Sequence, residues 1–392
     1  MKNFTFYSPT KIYFGRDEEN NVGNVLSSLK VKKVLIVIGK NSVIKSGLLD
    51  RVYKSLDDNK IEHYLLSGVR ANPTFELVED GIDLVKKHNI EFILPIGGGS
   101  VIDTAKCIAV NYDNDRDIKD YNFHRKQVDH ALPIGAILTI SAAGSELSNS
   151  CVIQDDDTAM KMGFNSDLVR PIFAIENPEL TISVSKEQTA YGVVDILMHT
   201  LERYFSPSEE YELADEFALG LIKNVIDVGL LSFNNPTNYE YRARLMLASS
   251  LSHNGITSVG KNYSMPVHQL EHPVSGKFTN IAHGLGLAVL FPSWAKYYYR
   301  YSVDKFSKLG ERVFSIREAD KEKASVLTIK AIEDYFDKLG MPHTLKELGI
   351  SKEDISSLVD NVSRKGTRVI SHFGKDMDEL VVKEIYMSCL GE

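Results

Sequence analysis

The chain has 392 residues, with 45 lysines and arginines against 53 aspartates and glutamates, a formal net charge of −8. With 43% hydrophobic and 25% charged residues it has a globular composition, which excludes a disordered chain, and its acidity argues against a nucleic-acid partner. Three scattered cysteines exclude a disulfide framework and fit a reducing, cytoplasmic setting, and no run approaches the roughly 18 apolar residues of a membrane span.

Residues 1–15 alternate polar with aromatic side chains, lack the apolar block of a signal peptide and read as a starting strand. Short apolar runs at 34–38, 92–96, 134–140 and 171–175 read as strands buried on both faces. Between two of them, 74–88 places Leu77, Val78, Ile82 and Val85 at helical spacing. After about residue 185 the pattern turns helical, as at 211–231 and 239–253, and Ser185 with Gln188 has the form of a capping box that opens a long helix. The expected organisation is an α/β dinucleotide-binding domain with a parallel sheet over 1–183, then an all-helical metal-binding and substrate domain over 184–392. A cleft between them is where a ligand site is expected.

The strand at 92–96 runs into Gly97, Gly98, Gly99 and Ser100, with Asp103 following as a helix begins. Glycines let backbone approach a phosphate, and a helix N-terminus favours its charge, so this turn suits a pyrophosphate. The competing reading is a plain helix cap, with Ser100 at the N-cap and Asp103 three residues on. The strand at 34–38 ends in Gly39, Lys40, Asn41 and Ser42, where many NAD sites carry an acidic residue for the ribose 2′-hydroxyl. No acid stands here, and Lys40, Ser42 and Lys45 suit a 2′-phosphate, so NADP(H) is expected over NAD(H). A third small-residue turn, from Thr139 through Ser141 to Glu146, follows the strand at 134–140.

Asp195 and His199, four apart, share one helix face, and His268, His272 and His283 follow among apolar helical segments. One carboxylate and three imidazoles, from Asp195, His199, His268 and His283, make an N/O ligand set for one divalent ion, Fe(II) or Zn(II). Each histidine alone reads more readily as a hydrogen-bonded helix residue than as a ligand; the combination is what points to a metal.

These motifs resemble the iron-containing, group III alcohol dehydrogenases, in particular the butanol dehydrogenase and NADPH-dependent aldehyde reductase branch. The match runs over essentially the whole chain, and its most specific block is His268 to Gly276 followed by Ala282, His283 and Gly284. The resemblance implies that Asp195, His199, His268 and His283 bind the metal and that His272 relays a proton beside the substrate. It also implies that the glycine turn, the 139–146 turn and the Asn72-Pro73 element face the cofactor, with Lys161 towards the nicotinamide, and that the protein is a homodimer. Two departures stand out: the interval from His268 to His283 is one residue longer than usual, and Ala143 stands where threonine is common. The expected reaction is hydride transfer between NADP(H) and a small aliphatic alcohol or aldehyde such as butanol or butanal. The alternatives are a zinc- and NAD-dependent glycerol or polyol dehydrogenase, a dehydroquinate-synthase-like lyase, and a non-catalytic nucleotide binder. Phe164, Tyr263, Met265 and Trp294 are candidates either for an apolar pocket or for plain core.

Overall fold

In the computed structural model, which describes residues 3–113, 117–206, 212–372 and 374–391, eight strands are formed. They are β1 (Lys11–Phe14), β2 (Lys33–Ile38), β3 (Glu62–Leu66), β4 (Phe92–Gly97), β5 (Gly135–Leu138), β6 (Ser150–Asp155), β7 (Met160–Asn165) and β8 (Phe173–Glu176). Six make an all-parallel sheet in the order β1-β8-β5-β4-β2-β3, and β6 and β7 pair antiparallel as a separate hairpin. The parallel sheet needs cover on both faces, and the strand sequences supply it. Val34, Ile36 and Ile38 of β2 join one hydrophobic core while Leu35 and Val37 join the other, the two-residue alternation of a strand. The four expected apolar strands are present. The sequence reading passed over β3, half of which is Glu62-His63-Tyr64, and the β6–β7 hairpin, whose second strand opens Met160-Lys161-Met162-Gly163.

The sheet belongs to a unit made of Tyr7–Val184 together with Thr237–Asn254. The other unit contains Ser185–Pro236, Gly255 onward and the residues before Tyr7. Where the sequence reading runs one boundary between 183 and 184, the units are thus discontinuous, and the Tyr239–His253 helix packs with the α/β layers. The helical unit includes Lys186–Tyr204, Glu212–Asn234, Pro266–Lys277 and His283–Tyr298. Ser185 caps the first of these, its hydroxyl accepting the Gln188 N–H at 3.2 Å. Among the described residues no helix is long and apolar enough to cross a membrane.

Candidate metal and nucleotide sites

In the α/β unit, β2, β4 and β5 are neighbours, so the turns that follow them line one carboxyl edge of the sheet. Because β3 lies on one side of β2 and β4 on the other, the strand order reverses between β2 and β4, which lead to Gly39 and Gly97. That switch point is where parallel α/β sheets bind dinucleotides. The Gly99–Asn111 helix starts from Gly98 with no side-chain cap, which overturns the reading of Ser100 as N-cap. Asp103 instead accepts from Ser145 Oγ at 2.7 Å and from the Val152 N–H at 3.0 Å. A Cβ on Gly98 would stand 2.4 Å from Ile140 Cγ2, and one on Gly99 3.0 Å from Ala143 Cβ. The glycines thus let the 139–146 turn lie against the 97–99 backbone, which Thr139 joins by its N–H to Gly97 O at 3.1 Å. Ser141 Oγ is buried in that turn without a hydrogen-bond partner.

Lys40, Asn41 and Ser42 are exposed beyond β2. Gly39 is not sterically required, since an added Cβ would make only an ordinary 3.6 Å contact with Val69 O. Asn72 has a left-handed φ of 57°, and the next residue's carbonyl, Pro73 O, accepts the Gln154 N–H at 2.8 Å. Gln154 is in turn paired with Lys161 across the hairpin, so Asn72 and Lys161 flank one β6 position.

One residue the sequence reading missed holds these pieces together. Lys106 is wholly buried, and its Nζ lies within 2.8 to 3.1 Å of Ser145 O and Oγ, Ser148 O and Oγ, and Ser150 O. Burial pushes its pKa down to about 8, against the opposing pull of Asp103.

In the helical unit, Lys186–Tyr204 carries Asp195, His199 and Glu202, Pro266–Lys277 carries His268, Glu271 and His272, and His283 opens His283–Tyr298. Asp195, His199 and His268 bring ligand atoms within 4.8 Å of one another. Asp195 Oδ1 lies 3.5 Å from His268 Nε2, 3.6 Å from His199 Nδ1 and 3.9 Å from His283 Nε2. His283 approaches but stands outside the tight trio, after the interval from His268 that is one residue longer than usual. These separations are too long for hydrogen bonds and close to the edge of about 3.4 Å expected when N and O ligands sit tetrahedrally about 2.1 Å from an ion. Asp195 Oδ1 and His268 Nε2 are buried with no hydrogen-bond partner, so the donor set fits a divalent first-row ion.

Two further carboxylates, Glu202 and Glu271, escaped the sequence reading as functional groups. Glu202 Oε2 takes a hydrogen bond from His268 Nδ1, and Glu202 Oε1 lies 3.3 Å from the His268 backbone N–H. Glu271 Oε2 takes one from His283 Nδ1. Each glutamate follows one candidate ligand histidine by three residues and serves the next candidate ligand histidine, Glu202 after His199 serving His268 and Glu271 after His268 serving His283. This fixes the tautomer that turns Nε2 towards Asp195. Burial opposes charge on His268, yet Glu202 and Asp195 outweigh it and lift its pKa to about 9. His272 is half-buried, its ring centroid 6.0 Å from that of His283. Of the proposed apolar lining, Phe164 and Trp294 are core residues, the indole packed against Phe205 and Phe291, whereas Tyr263 is exposed.

Residues 9–178 match the family described as Iron-containing alcohol dehydrogenase, and 189–388 match the Fe-containing alcohol dehydrogenase family, C-terminal. The chain is 37% identical to NADH-dependent butanol dehydrogenase A of Clostridium acetobutylicum, over 93% of this chain and 94% of that protein. It is 30% identical to the NADPH-dependent aldehyde reductase YqhD of Escherichia coli, over 93% and 94%. Among solved structures, NADH-dependent butanol dehydrogenase A of Thermotoga maritima superposes with a TM-score of 0.95 at 34% identity, covering 100% of this chain and 99% of that one.

Proposed function

The chain belongs to the iron-containing alcohol dehydrogenases, and from that premise we propose that it reduces small aliphatic aldehydes of the butanal class reversibly, preferring NADPH to NADH. The observation that carries the reading is the constellation of Asp195, His199, His268 and His283, with its orphaned Oδ1 and Nε2 atoms, proposed to hold one Fe(II) or Zn(II) ion. When bound, the ion supplies Lewis acidity towards a carbonyl oxygen and the dihydronicotinamide supplies the hydride.

The protein's own contribution is orientation and proton management. Glu202 and Glu271 hold the Nδ1 hydrogens of His268 and His283, so both rings are aimed before a ligand arrives. His272, at the edge of the cluster, gives up the proton that the product alcohol oxygen requires, a role open to an imidazole because it can both donate and accept. Gly97–Ser100, Asp103, Thr139 and Ser141 receive the nucleotide along the sheet edge, with Asn72 and Lys161 beside the same hairpin. The preference for NADPH rests on exposed Lys40 and Ser42 and on the lack of an acid after β2. Relatives are named for either nucleotide, so the ratio has to be measured. A homodimer and a cytoplasmic location complete the reading, and light scattering of the purified protein tests the first.

The deciding experiment follows oxidation of NADPH and, separately, NADH with butanal by metal-stripped protein reloaded with Fe(II) or Zn(II). Turnover that needs the ion, vanishes in His268→Ala and runs faster with NADPH is the expected result. Faster turnover with NADH would remove the argument from Lys40 and Ser42.

A further inference from the structure

Glu146 closes the 139–146 turn and Glu176 ends β8; both are fully buried, and both reach the same hydroxyl. Ser250 Oγ lies 2.7 Å from Glu146 Oε1 and 2.9 Å from Glu176 Oε1, with Met246 O at 3.2 Å. A hydroxyl has one hydrogen to give, and an ionised carboxylate has none. With both glutamates charged, one of the two close oxygen pairs would contain no hydrogen at all. Their second oxygens bring no relief, because Glu146 Oε2 and Glu176 Oε2 are buried without a hydrogen-bond partner. The Lys106 ammonium favours the charge on Glu146, whereas the charged neighbour of Glu176 is Glu146 itself.

We infer that Glu176 is a carboxylic acid that donates to Ser250 Oγ, that Ser250 passes its own hydrogen to the Glu146 carboxylate, and that this link positions the 139–146 turn for the nucleotide. The positioning role rests on the reading above that this turn faces the cofactor. The link joins the turn and β8 to the Tyr239–His253 helix, whose neighbouring residues grip the same turn. Ser249 Oγ donates to Ala142 O at 3.2 Å, and His253 Nδ1 lies 2.7 Å from Ala143 O. Gly144, at φ 64°, leaves no room for a side chain, since a Cβ would stand 2.6 Å from Ser249 O. Burial, then the Glu146 charge, raises Glu176 to about 8, and Ser250 pulls weakly the other way. Of the other charged groups, Lys106 acts on Glu146, and Lys106 in turn feels Asp103 on its own helix and Arg170.

The test uses the full-length protein and NADH, whose lack of a 2′-phosphate removes a competing titration. The wild-type Kd, read by nucleotide fluorescence, is expected to weaken about tenfold as pH rises from about 7 to about 9, when both carboxyls ionise. Glu176→Gln keeps hydrogens at that position at every pH and is expected to abolish the alkaline loss, whereas Lys106 titration would leave the loss in both proteins. In the infrared, a protonated-carboxyl carbonyl band present in the wild type and missing in Glu176→Gln is expected at neutral pH. Absence of that band, or an alkaline loss that persists in the variant, overturns the link. If the band is present but the wild-type Kd is flat with pH, the proton is real and the positioning role is overturned. If no nucleotide binds to any form, the cofactor reading of the turn falls and takes the positioning role with it, leaving the band as an independent fact.

Discussion

Glu202 and Glu271 show how a buried charge can serve a site without touching what the site binds. Replacing a carboxylate that orients a ligand histidine typically costs 10- to 100-fold in metal affinity, so Glu202→Gln is expected to weaken Zn(II) binding by about that factor with little change in nucleotide Kd, measured by chelator competition. The proton on His268 gives a second expectation. Its pKa in the metal-free fold is about 9, above the ordinary imidazole value, so its stabilising contribution is complete below about pH 6.5 and is lost as pH rises through 9. Metal-free protein should therefore lose thermal stability across that window while the loaded protein does not, and ion uptake at pH 7 should release a proton, detectable by calorimetry in buffers of different ionisation enthalpy. Lys106→Met would strand the Ser145, Ser148 and Ser150 oxygens and the Asp103 charge, a loss of about 3 kcal/mol in denaturant melts. The histidines were legible in the sequence because imidazoles are conspicuous in apolar helices. The glutamates were not, since a Glu three residues after a His reads as an ordinary solvated helix charge until the next helix is seen against it.

At the scale of elements, two glycines decide how closely the His283–Tyr298 helix docks. A Cβ on Gly284 would fall 2.5 Å from Tyr191 O on the Lys186–Tyr204 helix, and one on Gly286 2.7 Å from Glu271 Cγ. Gly284→Ala is expected to cost about 1–3 kcal/mol, because it meets backbone that cannot swing away. Gly286→Ala presses on the carboxylate that holds His283, so its effect should fall more on metal affinity than on melting temperature. The strands at β2 and β4 were readable because a buried parallel strand is a continuous apolar run. Edge strand β3 opens with polar residues on both faces, and hairpin strand β7 alternates Met160, Met162 and Phe164 with Lys161, Gly163 and Asn165, a two-residue pattern that a search for continuous apolar runs passes over. The Tyr239–His253 helix was recognised as a helix, yet nothing in its periodicity says that it packs on the α/β layers, because that is decided by Ser249, Ser250 and His253 meeting a turn about a hundred residues earlier.

At the scale of the whole molecule, the turns at the sheet edge and the His/Asp cluster are built in different units, so their losses should separate. Chelation or His268→Ala is expected to abolish turnover while leaving NADPH and NADH dissociation constants within about twofold, checked by fluorescence titration; a larger shift would show that the ion also shapes the nucleotide site. The discontinuity of the α/β unit also bears on how the chain is made. On the ribosome the sheet cannot close its β1 edge until β8 has emerged, and the 142–146 turn has no brace until about a hundred residues after it, when Thr237–Asn254 appears. Throughout that interval the growing chain carries an unfinished pocket and a naked helix-docking surface. A gene cut at the apparent domain boundary would make this stalled intermediate permanent, yielding a polypeptide prone to clumping in place of a portable α/β module.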